Sequence, residues 1–195
     1  MMASNRVLLE DQEKLITHLI DIAQVTNAAV TFGKPGIECG VSYTYRHNKN
    51  KITSSQLDEI VVPFPSTPFR VLIFLHELGH IEDHNKKIIG RRIMDDYAKT
   101  ISKSDFLLHM RYEIRAWKEA LLLYDKFNLS YSPDAWRETM DKTLLSYYND
   151  WLWQPPDQAR SLVVDLFGKI EERCPGFIAL MKKSQEELFS NGDNN

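Results

Sequence analysis

One stretch constrains this chain more than any other: Thr67-Pro68 followed by FRVLIFLHELGHIEDH. Thr followed by Pro matches an N-cap with proline at the first helical position, which predicts a helix opening at Pro68. Its first half is apolar nearly all round, so the helix must be buried inside the domain and not laid on its surface. A buried helix carrying three histidines and several carboxylates needs partners for them, because desolvating polar groups is costly.

The flanking segments predict what surrounds it. From Glu10 to about Val25, Leu15, Ile16, Leu19, Ile20, Ile22 and Ala23 recur at three- and four-residue spacing, an amphipathic helix that Asn27 ends. Ala28–Phe32, Val41–Tyr45 and Lys51–Ser54 read as short strands, with Arg46–Asn50, including His47, as the hairpin turn between the last two. Prolines 63, 65 and 68 interrupt regular structure before the buried helix. Ser104-Asp105 opens another helix, whose stripe of Leu107, Met110, Ile114, Trp117 and Leu121 runs to about Phe127. Further helices are predicted from Ser132-Pro133 to about Asn149, from Asp157 to about Arg173, and from Pro175 to about Phe189. The fold class is therefore α+β: a mainly helical single domain over 1–195, with a small antiparallel or mixed sheet before the buried helix. Its core spans about 28–127 and a helical part about 130–190.

Composition narrows the function classes. A net charge of −3 with both signs mixed along the chain provides no electrostatic footprint for nucleic acid. No apolar run reaches the ~18 residues that would span a bilayer, so no membrane association is expected. Cys39 and Cys174 form no CxxC pair, and MMASNRVLLEDQEKL lacks the basic start and apolar core of a secretory leader. Free thiols in a reducing cytoplasm are the expectation.

His76-Glu77-Leu78-Gly79-His80 is an HExxH pattern. Residues four apart share one helix face, so both imidazoles can reach one metal ion, while Glu77 projects beside them where it can hold a water. Two imidazoles and a carboxylate suit zinc, leaving a fourth tetrahedral position open. The metzincin pattern would put Gly and His where this chain has Asp83 and Lys86, which excludes that branch. On the Ser104 helix, Glu113 borders the apolar stripe, at about 80° from its centre, whereas Glu119 points nearly opposite. Only Glu113 can face a neighbouring helix.

HELGH on one helix followed by Glu113-Ile-Arg-Ala-Trp117 on a later one resembles the gluzincin branch of the zincin metallopeptidases, and within it the small cytoplasmic ImmA/IrrE-like group. The resemblance covers roughly Ala28 to Phe127. It implies His76, His80 and Glu113 as ligands of Zn2+, Glu77 as general base, and a peptide or protein substrate. One position departs from the pattern: thermolysin-like enzymes carry an Asp four residues after the ligand Glu to orient a ligating histidine, and here that position is Trp117. A zincin-like regulatory or binding module without turnover, and a hydrolase of a non-peptide bond, stand as alternatives.

Other residues stay open. His84 continues the 76/80 face, either as a ligand or near the helix end against the dipole. His109, one turn before Glu113, either supports the ligands from behind or is an exposed i, i+4 partner of Glu113. Tyr97, Tyr112, Tyr147 and Tyr148 are candidate oxyanion donors. Trp151-Leu-Trp153 reads as a core anchor or helix connector, and Lys86-Lys87 and Arg91-Arg92 as solvated surface.

Overall fold

The computed structural model describes residues 2–33, 40–48, 51–87, 103–145 and 157–184. It is mostly helical with one three-stranded mixed sheet, an α+β architecture. The chain forms two compact units, residues 1–101 with 115–129, and residues 102–114 with 130–195.

In the first unit, α1 spans Met2–Thr26, beginning well before Glu10 because nothing between the two positions breaks a helix. Asn27 ends it with φ of 57°, the left-handed conformation that Asn tolerates better than most residues, and Ala28 N–H returns to the Ala23 carbonyl at 3.2 Å. Strands β1 (Ala29–Gly33), β2 (Gly40–Asn48) and β3 (Lys51–Pro63) form a sheet in the order β1-β3-β2. The β2–β3 pair is antiparallel, as a hairpin requires, whereas β1 pairs with β3 in parallel.

Two sequence expectations need correction here. His47 is a strand residue opposite Ile52, not part of a turn. Strand β3 runs on to Pro63, nine residues beyond Ser54. The register explains why that extension was hidden: Ser42 faces Glu59 while Tyr43 faces Leu57, leaving Asp58 as the extra residue of a β-bulge. Leu57, Ile60 and Val62 are all buried although their spacing is three and then two, because the bulge shifts the alternation.

Helix α2 spans Pro68–Lys87. Thr67 caps it as expected, its Oγ1 accepting from Arg70 N–H at 3.3 Å and its carbonyl from Val71 N–H at 2.9 Å. The helix packs on β3, β2 and α1. Val71, Leu72, Phe74, Leu75, Leu78 and Ile81 have no exposed surface at all. Burying six such side chains contributes on the order of 10 kcal/mol, an upper figure since the unfolded chain already hides part of that surface. That offsets the cost of taking the helix's polar residues out of water.

Helix α3 spans Lys103–Lys126 and is one continuous helix whose residues belong to both units. It ends at Asn128, with φ of 53° and the Leu129 N–H bonded to the Tyr124 carbonyl.

In the second unit, α4 (Pro133–Met140) opens on Ser132, whose hydroxyl accepts from Ala135 N–H. Where a regular helix is expected, it widens into a π turn over Asp141–Leu145, and the rest of that expectation, to Asn149, lies outside the described residues. The hydroxyls of Thr139 and Thr143 donate to the carbonyls four residues back, each at 2.7 Å, a competition with the backbone ladder that loosens a helix. Helices α5 (Asp157–Arg173) and α6 (Phe177–Ser184) pack together around an edge-to-face pair of Phe167 and Phe177. Helix α6 starts two residues later than expected, after Gly176 at φ of 95°. Cys174 is buried and free. Cys39, Arg91, Arg92, Tyr97, Tyr147, Tyr148 and Trp151–Trp153 lie outside the described residues. No helix among the described residues is long and apolar enough to cross a membrane.

Candidate metal centre

Helix phase delivers the first two side chains. His76 and His80 lie one turn apart on α2 and turn their Nε2 atoms toward each other at 3.1 Å, with ring centroids 4.5 Å apart. Both are buried, at 5% and 7% exposure, as are Glu77 at 7% and Glu113 at 8%. The ligand atoms of His76, His80 and Glu113 all lie within 4.8 Å of one another, and they form the one group of this kind among the described residues. Glu119, the other carboxylate weighed on α3, is only partly buried and does not join it.

The donor set fits a divalent metal of borderline softness. Zinc–nitrogen bonds of about 2.0–2.1 Å drawn to nitrogens 3.1 Å apart subtend roughly 100° at the metal, near the tetrahedral angle. The same separation suits an imidazole–imidazole hydrogen bond, so the pair alone does not discriminate. Glu113 adds a third donor, and the three together make a group that could hold a metal ion.

Three contacts fix the helices that carry these groups. Gly79, between the two histidines, lies so close to α3 that a Cβ there would strike the Ala116 carbonyl oxygen and approach Ala120 N to 3.0 Å. Arg115 on α3 holds Asp83 on α2, its Nε 3.2 Å from each carboxylate oxygen. Trp117, fully buried, stacks on the His76 imidazole with centroids 4.4 Å apart and planes 22° from parallel. Sequence reasoning found none of these three. The available signals were a glycine inside a helix and an Asp in place of the metzincin Gly, both of which acquire meaning only once α3 is in position.

The remaining candidates separate. His84 is buried three residues before the end of α2, its ring stacked on Tyr43 of β2 at 3.5 Å and 13°. That contact ties the helix to the sheet, and His84 is not among the grouped donors. His109 lies with Nε2 4.0 Å from Glu113 Oε1, too far for a hydrogen bond, and its side chain is only 15% exposed. Its placement is thus beside Glu113 and not out in solvent. Tyr112 is half-buried on α3.

No protein-family model, curated protein or solved structure matches the chain. The functional reading therefore rests on the residues themselves.

Proposed function

We propose that this protein is a zinc-dependent hydrolase of the zincin type that cleaves peptide bonds in a peptide or protein substrate. The observation that carries the reading is the gathering of His76, His80 and Glu113 donor atoms within 4.8 Å, buried, with Glu77 next to His76 on the same helix. In this reading His76, His80 and Glu113 hold the metal. When bound, zinc supplies Lewis acidity, polarising the scissile carbonyl and making water a better nucleophile at neutral pH.

Glu77 is the general base. Its carboxylate takes a proton from the attacking water as the water oxygen bonds to the carbonyl carbon. It then delivers that proton to the amine nitrogen as the C–N bond breaks. A reducing cytoplasmic compartment belongs to the same proposal.

The test combines metal analysis with turnover of a quenched fluorescent casein. Wild type is expected to hold about one zinc per chain, with nitrogen and oxygen ligands and no sulfur. Glu77→Gln should keep that zinc and lose activity by about 10²–10⁴-fold. Absence of zinc, or full activity in Glu77→Gln, refutes the mechanism. Tight zinc without turnover in wild type means a metal-binding regulatory module instead.

A further inference from the structure

We infer that Trp117 is a positioning residue of the metal centre, holding the His76 imidazole by face-on stacking and favouring its metal-loaded form. The inference rests on the metal reading proposed above.

The geometry is that of a stack and not of a chance edge contact: centroids 4.4 Å apart, planes 22° apart, and an indole with no exposed surface. The indole cannot easily swing away. Its neighbour Ala116 presents its carbonyl to Gly79, one turn of α2 from His76, so main chain lies against main chain at this point. Trp117 also follows Glu113 by four residues, which places the stacking ring and a candidate ligand on one face of α3.

Stacking and coordination reinforce each other. A metal on Nε2 withdraws electron density from the imidazole and gives the ring partial positive character. The indole face is the negative end of the largest aromatic quadrupole among side chains, so it attracts the loaded ring more than the neutral one.

The experiment compares zinc affinity by chelator competition in full-length wild type, Trp117→Phe and Trp117→Leu, with thermal unfolding of each metal-free protein as the control for folding. Phenylalanine keeps an aromatic face, so Trp117→Phe should bind zinc within about threefold of wild type. Leucine fills space without a π face, and Trp117→Leu should lose roughly five- to thirty-fold, the range of a desolvated cation–π contact. Equal affinity in Trp117→Leu and wild type overturns the inference while leaving the metal reading intact. So does an equal loss in both variants, which would mean that volume and not the aromatic face matters. No zinc binding by wild type overturns the metal reading itself.

Should Trp117→Leu fail to fold, fluorescence decides. Zinc on a stacked imidazole makes that ring a better electron acceptor at contact distance, so zinc should quench an emission component present in wild type and missing from Trp117→Phe. Identical zinc responses in those two proteins overturn the inference.

Discussion

Gly79→Ala isolates the close approach of α2 and α3. On an isolated helix the change would stabilise, because alanine is favoured over glycine by about 1 kcal/mol at a helix interior. Here the added methyl meets the Ala116 carbonyl oxygen, and lies 2.9 Å from the Ala116 carbonyl carbon and 3.0 Å from Ala120 N. All three atoms are main chain, so no rotamer change relieves the overlap and the helices must separate. Overpacking of this kind costs about 1–3 kcal/mol, with the upper end expected where backbone is the obstacle. Setting ~3 kcal/mol of strain against ~1 kcal/mol of propensity leaves a net loss of about 2 kcal/mol. For a chain of this size that lowers the melting temperature by about 4–8 °C. Urea denaturation followed by far-UV circular dichroism measures the loss directly. Zinc affinity should fall as well, since separating the helices pulls Trp117 from His76. A Gly79→Ala protein as stable as wild type, or more stable, would show that α3 does not press on α2 at this position.

Three further outcomes follow from other parts of the chain. Glu113→Ala should weaken zinc by more than the 10–100-fold typical of residues that only support a ligand, while Glu119→Ala leaves it nearly unchanged; equal affinities in a chelator competition would remove Glu113 from the site. The Glu171 carboxylate accepts from Ile178 N–H at 2.7 Å and Gly176 N–H at 2.8 Å, and these bonds hold its pKa below the usual value. Its contribution is present above the ordinary glutamate pKa and is lost as pH falls through the depressed one, so Glu171→Gln should lower stability at pH 7 only slightly, the carboxylate being screened by solvent, and flatten the acid limb of the stability profile. Burial, and secondarily Lys126, lower the His18 pKa, opposed by Glu82 at 3.9 Å and by Asp21. The unfolded chain then binds the proton more readily, so stability should decline as pH drops below about 6.5, and His18→Phe should remove that part of the decline in melting temperatures taken at pH 7.5 and 5.5.

What could be read from the sequence follows the range of the interactions involved. Asn27, Thr67-Pro68 and Ser132-Pro133 act on their own neighbours, and the helix boundaries they predict agree with the structure within a residue or two. The far half of β3 was hidden because the bulge at Asp58 breaks the alternation that marks a strand. The parallel pairing of β1 with β3 leaves no local trace, since neither strand's composition specifies its neighbour. At the site, the spacing of His76 and His80 and the helical phase of Glu113 are local quantities. By contrast, the stack of Trp117 on His76 depends on how two helices meet, and the sequence shows only that an aromatic lies in the stripe of α3.

The central position of β3 also sets an order of assembly. Strand β1 leaves the ribosome before the other two strands but, among the described residues, pairs only with β3, Ala29 lying opposite Glu59 thirty residues later. At about 5–20 residues per second, β1 waits roughly 1.5–6 s with its ladder groups still bonded to water. The β2–β3 hairpin closes on a scale of microseconds once both arms have emerged. It therefore serves as the template onto which β1 docks, and α1, which packs on α2, must wait for a helix that is made later still.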